Sequence, residues 1–457
     1  MEDLVQTLPR IDYPLSPLDV VPSHLYISNC LFFENKDNDR NFALEHLLET
    51  GLYHALRKFP ILVGELRPNG LNTMHIAVNP DKPNFPTWEM SNSTTSFQEL
   101  KLQAFPASHW PEELVITDPL VHGDVSSTPK LLRIRLCRFA DNSGVAVVVR
   151  IAHAVVDAKG AVSFINYWAY CCRELLSRPS ATQDNVPDPI LEREAMYMQL
   201  PADCQPASLH WLLYPLSCIL AMLLKLFALF MKKQLTFGES ESHLFAVPRQ
   251  KLDLVQSTAK GSGMRISDND VIVALFTMAY AQTRKASKAS KSVKAIIPCD
   301  FRHRLAIPEN YTGNCAIGLF MTAPSEDLMK PITAESIARV AVACRQAVDS
   351  ADNATIKYLV HRALQSIRLL GNQVRIMYSL MVCQAFSNQS RLEFYSADFG
   401  FGPPCLAVPV AYPRTLAVIV PSPPPGDEVY VWLSLQTLEM GRLRGNEGFQ
   451  SFMRVIY

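Results

Sequence analysis

From Val145 to Ile151 the chain reads Val-Ala-Val-Val-Val-Arg-Ile, apolar at every position but Arg150. That run predicts a strand buried on both faces for most of its length. Leu131 to Phe139 alternates and predicts a second strand, joined to the first by the hairpin-type turn Asp141-Asn142-Ser143-Gly144. Leu25 to Ile27 and Leu31 to Phe33 read as a further short strand. Phe42, Leu44, Leu47, Leu48, Leu52, Leu56 and Phe59 recur at helical spacing, which predicts an amphipathic helix stopped by Pro60, with Asn41 or Asp39 as its cap. Ile61–Leu66 and Met74–Val78 read as a strand pair about Pro68-Asn69-Gly70. After Gly160 a helix carries Val162, Phe164, Ile165, Trp168 and Leu175.

The second half repeats this mixture. Ser267-Asp268-Asn269-Asp270 is a helix-start signal ahead of Val271–Tyr280, and Ser292–Pro298 reads as a strand. Ala334–Val348 and Ile356–Met377 read as helices, Leu416–Val420 and Glu428–Leu435 as a hairpin-like pair, and Leu438–Phe452 as a closing helix. Three stretches read as non-regular: Pro14–Asp19 as an extended entry, Asn79–Pro129 as a surface excursion, and Ser177–Pro206 as a linker. Leu209–Met231 is apolar for the length of a bilayer span, but Pro215 breaks it and Lys225 lies inside it; Lys232-Lys233 follows.

Composition narrows the class. The 457 residues allow two or three domains, and 48% hydrophobic with 19% charged residues is globular rather than disordered. Lys+Arg 43 balances Asp+Glu 43 with no basic stripe, so nothing supports nucleic-acid binding. The 11 Cys are odd in number, form no CxxC pair and include the adjacent Cys171 and Cys172, which suits buried thiols in a reducing, cytoplasmic setting. Met1 to Asp12 lacks a basic region followed by an apolar core, so no signal peptide is expected there.

Candidate chemistry sits where the first strand ends, at His153-Ala-Val-Val-Asp157. An imidazole at the exit of a buried strand suits proton transfer. Asp157 either pairs with it or holds the loop. The plain alternative, a satisfied core histidine, stays open on this motif alone.

Several stretches together resemble one family, the CoA-dependent acyltransferases of the BAHD type, in a fungal branch related to trichothecene 3-O-acetyltransferases. His153 to Asp157 matches its His-x-x-x-Asp motif, and Asp398-Phe-Gly-Phe-Gly402 its Asp-Phe-Gly-aromatic-Gly motif. Arg302-His-Arg304 followed by Asn310-Tyr-Thr-Gly313-Asn314 matches the middle signature, and Pro14–Asp19 with Leu52–Leu66 the N-terminal pattern. The resemblance implies an α/β fold of two chloramphenicol-acetyltransferase-like domains, each a mixed sheet with helices, and an active-site channel between them. The division expected here is 1–206, a crossover at 207–240, and 241–457.

By that resemblance His153 is the general base, and Asp157 points away from the channel to pair with Arg302, Arg304 being the second choice. Asp398, Gly400, Gly402, Gly313 and Asn314 are structural. Ser387 or Asn388 is a candidate oxyanion donor, although Gln389 stands where the family usually has Trp. Ala158 stands where it usually has Gly. The co-substrate implied is acyl-CoA, with acetyl-CoA first, and no permanent cofactor or metal. Its phosphate contacts stay unassigned; Arg284 to Lys294 is basic but reads as a solvated loop. The acceptor implied is the hydroxyl of a secondary metabolite such as a terpenoid or polyketide, and the expected state is a monomer. The alternatives are an N-acyltransferase or condensation-type enzyme of the same fold, the latter disfavoured by Ala152, and an inactive binding protein. For 209–231, a single span would put Asp157 and Arg302 on opposite sides of a membrane. A buried crossover and an interfacial anchor with Lys232-Lys233 at the headgroups remain.

Overall fold

The computed structural model describes residues 2–69, 73–114, 121, 128–176, 187–194, 219, 222–223, 226, 240–284, 292–370, 384–412 and 416–457. Its strands form three sheets. The five-stranded sheet runs Leu406–Pro409, Tyr26–Glu34, Gly144–Ala152, Leu132–Arg138, Thr87–Asn92. Gly144–Ala152 is its central strand, antiparallel to both neighbours. A central strand covered on both faces has no solvent side, which is why the apolar run shows no alternation. Only Arg150 within it is half-buried, its guanidinium 4.6 Å from the Tyr26 ring centre.

The seven-stranded sheet runs Ala316–Pro324, Ser292–Asp300, Gln384–Asn388, Leu416–Pro421, Val429–Gln436, Ser240–Val247, Arg454–Val455. It is mixed: Gln384–Asn388 lies parallel to both neighbours, and the remaining pairs are antiparallel. Alternate residues of this sheet serve two cores. Ala417, Ile419, Val431 and Leu433 pack with helices Asp268–Thr283 and Ala334–Asp349. Val418, Val420 and Trp432 meet Cys30, Phe32 and Val148 of the five-stranded sheet, and this shared core joins the two halves. Helices Glu45–Lys58 and Ala158–Leu175 cover the other face of the five-stranded sheet. The third sheet is small: Ile11–Pro14, Met74–Val78, Glu65–Pro68.

Several expectations need correction. Pro14–Asp19 is not simply extended: Pro17–Val20 is a helical turn with a Ser16/Asp19 capping box and Pro17 inside its start. The helix expected from Phe42 begins at Glu45, and its cap position is Leu44, without a side-chain bond; Asp39 accepts instead from the Asn41 N–H at 2.9 Å. Pro60–Val63 is a 3-10 turn, so the strand starts only at Glu65. The Asn79–Pro129 excursion contains strand Thr87–Asn92, parallel to Leu132–Arg138, and drives Phe97, Trp110 and Leu114 into the shared core. A few apolar anchors among many polar residues suffice for that, and the average composition hides them. The expected linker carries Leu191 and Arg193, 5% and 3% exposed, into the interior. The closing helix is two, Thr437–Arg444 and Glu447–Gln450, because Asn446 caps a new start. Most of 209–231 and the end of the helix expected over Ile356–Met377 lie outside the described residues; Asn353–Leu370 is helical.

Candidate active site

Strand Gly144–Ala152 delivers His153 to a short loop, and Asp157 then caps helix Ala158–Leu175. The His153 N–H donates to Leu25 O at 2.8 Å, and its carbonyl accepts from Asn314 Nδ2 at 2.7 Å. The ring is half-buried; Nδ1 is buried and makes no hydrogen bond of ordinary geometry. Burial pushes the imidazole pKa below its usual value, and its own carbonyl, Asp157, the Val156 backbone and Asp19 oppose that only in part.

Both Asp157 oxygens are committed elsewhere. Oδ1 accepts from the Gly160 N–H at 3.0 Å, the cap of the helix. Oδ2 accepts from Arg302 Nη2 at 2.6 Å and the Cys315 N–H at 3.2 Å. Asp157 thus faces the second half of the chain and not the imidazole ring. Ala158 starts the helix, and no residue from His153 to Gly160 has a left-handed backbone, so this turn needs no glycine at 158. The glycine requirement sits at Gly160, where a Cβ would strike the Thr312 carbonyl.

Arg302 is 1% exposed. Besides Asp157 it donates to Asp300 Oδ2 at 3.0 Å, to Tyr311 O at 3.1 and 3.2 Å, and to Gly313 O at 3.0 Å. Burial works against its charge, but Asp157 and then Asp300 outweigh it and the pKa is raised. Arg304 turns away to the Ala351 carbonyl.

A second buried ion pair was not expected. Asp19, fully buried, accepts from Arg193 Nε at 3.1 Å and from the Asn314 N–H and Nδ2 at 2.9 and 2.8 Å. Arg193 Nη2 donates to Val155 O at 2.6 Å. The Tyr311 ring lies between the pairs, 5.6 Å from the Arg193 guanidinium and 5.8 Å from that of Arg302. Asp19 appeared in the sequence only as the end of a matched pattern, and Arg193 carried no local signal within a Pro- and Asp-rich stretch.

Ser387 and Asn388 close strand Gln384–Asn388. The Asn388 amide is committed: Nδ2 donates to Asn269 at 2.7 Å, and Oδ1 accepts from Ser390 N and Oγ. Ser387 Oγ accepts from Gln389 Nε2 at 3.2 Å and donates to no described residue. Gln389 is 2% exposed, so the position usually given to an apolar wall holds a buried amide.

Asp398 to Gly402 docks on the N-terminal half. Asp398 Oδ1 accepts from the N–H groups of Gly400 and Gly402 at 2.7 and 2.9 Å, and both glycines have φ near the left-handed side, 103° and 100°. Phe399 packs edge-on against Trp168 at 4.7 Å, and Phe401 against Phe33 at 5.2 Å. Arg173 reaches the Asp398 carbonyl.

A cavity of about 1050 Å³ opens beside Arg302. Asp300 and Arg302 line it together with Arg249, Arg265, Asn388 and Arg391. Arg249 is paired with Asp268 at 2.6 Å; Arg265 and Arg391 have no ion pair among the described residues. His153 is not among its lining residues. Of the basic stretch, Arg284 pairs with Glu439 at 3.1 Å, and 285–291 lie outside the described residues. The described cysteines are free thiols, and burial raises Cys30, Cys171, Cys172, Cys315 and Cys344. None of these five is a thiolate nucleophile at neutral pH. Among the described residues no cluster of His, Cys, Asp or Glu is placed to hold a metal ion, and no helix is long and apolar enough to cross a membrane.

Residues 5–448 match the model of the Transferase family. The chain belongs to the Transferase family. It is a BAHD-type acyltransferase, as the motifs led one to expect. This family member is 24% identical over 428 residues to O-acetyltransferase pboB of Aspergillus ustus, with 85% of each chain covered. It is 23% identical over 459 residues to akuammiline synthase 1 of Alstonia scholaris, with 96% of this chain and 92% of the relative covered. Its fold is similar to F. graminearum TRI101 crystallised with coenzyme A and T-2 mycotoxin: TM-score 0.72 at 14% identity, covering 98% of this chain and 100% of that one.

Proposed function

We propose that this acyltransferase moves an acyl group, acetyl first, from acyl-CoA to a hydroxyl of a secondary metabolite such as a terpenoid or polyketide, with His153 as general base. The observation that carries the reading is the state of His153. It is half-buried, its depressed pKa keeps it neutral at pH 7, and the neighbouring carboxylate is turned away. Because Nδ1 is buried, we assign the proton transfer to Nε2. It takes the acceptor O–H proton as the oxygen attacks the thioester carbonyl. The tetrahedral intermediate collapses with cleavage of the C–S bond, and the imidazolium returns the proton to the leaving sulfur as CoA-SH. Ser387, whose hydroxyl donates to no described residue, is the proposed oxyanion donor. Asp157 with Arg302 holds the loop and ties the halves, which we divide at 1–206 and 241–457 about a crossover.

The nucleotide end of CoA fits the cavity beside Arg302. Arg265 and Arg391, which line it and have no ion pair among the described residues, are the cations proposed to meet the phosphates. The test is CoA release from acetyl-CoA with a panel of alcohols and amines. His153→Ala is expected to lose about 10²–10⁴-fold; turnover that survives in it refutes the base assignment, and acylation of amines alone refutes O-transfer.

A membrane-surface contact through 209–231 is the second part of the reading. Ile219, Met222, Leu223 and Leu226 are helical, spaced to share one face, and 52–56% exposed. The segment has no acidic residue, and Lys225, Lys232 and Lys233 suit anionic headgroups. A single crossing is incompatible with the Asp157–Arg302 pair, whose members flank the segment in sequence.

A further inference from the structure

We propose that Asp19 is a positioning residue for the catalytic base, holding the two side chains that fix the backbone on either side of Ala154. The inference rests on His153 being that base. Asp19 lies 134 positions before His153 in the chain. Its first task is local: Oδ2 accepts from Ser16 N at 2.9 Å and Ser16 Oγ at 2.7 Å, closing the capping box of a four-residue helix. A cap on so short a helix does not require a fully buried carboxylate, because water serves the same donors at a surface. Asp19 is fully buried, and three further donors converge on it, two from Asn314 and one from Arg193.

Both of those partners reach on to the His153 loop. Asn314 Nδ2 has two hydrogens; one goes to Asp19 Oδ1 and the other to the His153 carbonyl, at 2.8 and 2.7 Å. Arg193 divides its guanidinium the same way, with Nε on Asp19 Oδ2, Nη2 on Val155 O and Nη1 on Leu191 O. The backbone on both sides of Ala154 is therefore gripped by groups that one carboxylate orients. The Asp157–Arg302 pair anchors the far end of the same loop. With His153 N bound to Leu25 O, the residue has no slack in its main chain, and the ring alone remains to move. Reacting atoms need placement to a fraction of an ångström, and a shift near 1 Å costs about 10²-fold in rate.

The charge of Asp19 adds a second effect. Asp157 and Asp19 both favour the protonated form of the imidazole, and each is paired with a buried guanidinium behind the loop, Arg302 and Arg193. Burial opposes that preference. Removing the Asp19 charge removes one support for the imidazolium that forms during transfer.

Two variants separate positioning from folding. Asn314→Ala keeps the Asp19–Arg193 pair and deletes the bridge to the His153 carbonyl. It is expected to lower kcat for CoA release from acetyl-CoA, with water or a panel alcohol as acceptor, by about 10- to 100-fold. KM for acetyl-CoA should stay within about twofold, since Asn314 is not a lining residue of the CoA cavity, and the acid limb of kcat/KM should not move. Asp19→Asn, assayed at a temperature where circular dichroism shows it folded, should lose kcat and also shift that limb to lower pH. Wild-type kcat in folded Asn314→Ala overturns the proposal, as does a rise in KM with kcat kept. If Asp19→Asn does not fold, Asn314→Ala decides alone. Turnover kept in His153→Ala would instead remove the base assignment, and the positioning role with it.

Discussion

Asp157 and Arg302 lie 145 positions apart in the chain and 2.6 Å apart in space, with Arg302 1% exposed. The carboxylate has a second duty at the helix cap, and the guanidinium has three carbonyl contacts besides. Removing the Asp157 charge leaves buried Arg302 with only the half-exposed Asp300 to balance it among the described residues. Asp157→Asn is expected to cost about 3–5 kcal/mol of stability, read as a fall in melting temperature with the remaining activity preserved at low temperature. An unchanged melting temperature with turnover lost would make Asp157 part of the proton path.

The depressed pKa of His153 sets a pH profile. The acid limb of kcat/KM should lie below ~6.5, the ordinary histidine value. The same shift bears on stability. Between the folded and unfolded values the unfolded chain binds the proton and the folded chain does not. His153 therefore destabilises progressively as pH falls from ~6.5 to its folded value, and has no such effect above ~6.5. His153→Gln should flatten that part of the stability curve in thermal melts at stepped pH.

Gly400 and Gly402 share a left-handed φ but not their surroundings. A Cβ at 400 would strike Leu176, whereas nothing lies within 4 Å of one at 402. Both alanine variants carry backbone strain of about 1–2 kcal/mol, and Gly400→Ala adds a clash. Denaturant titration should rank Gly400→Ala below Gly402→Ala below wild type. Equal midpoints for the two would show that the packing against Leu176 is slack.

Arg265 and Arg391 line the cavity without an ion pair among the described residues. Alanine at either should raise KM for acetyl-CoA about tenfold, or ~1.4 kcal/mol, with kcat little changed. The effect should shrink as salt is raised. Unaltered KM in both variants places the CoA phosphates elsewhere.

Exposed apolar residues at 219, 222, 223 and 226 predict binding to vesicles of anionic phospholipid. Leu223→Glu with Leu226→Glu should abolish co-flotation while acetyl-CoA turnover in solution is unchanged. Co-flotation that survives the double variant excludes this face as the contact.

Much of the local structure was legible because it depends on neighbours in sequence. The strand at Gly144–Ala152, the hairpin before it and the helix after Asp157 follow from apolar pattern and turn chemistry. Motifs at His153, Asp157, Arg302 and Asp398 could be read because each is contiguous and rare in combination. The same local rule failed at Asn79–Pro129 and at 177–206, where a polar average concealed Phe97, Trp110, Leu191 and Arg193 inside the protein.

What the sequence by itself determined is most of the local elements and the motif residues they carry, His153, Asp157, Arg302 and Asp398 among them. The Asp157–Arg302 pairing was expected from the family resemblance, and the structure has it; only the tertiary structure decided that Asp19 joins Arg193 and Asn314 behind the same loop, and that Leu406–Pro409 completes a sheet begun by Tyr26–Glu34. Each of these joins segments more than a hundred positions apart. Burial makes each buried polar group find a partner, but it does not say in advance which distant partner that will be.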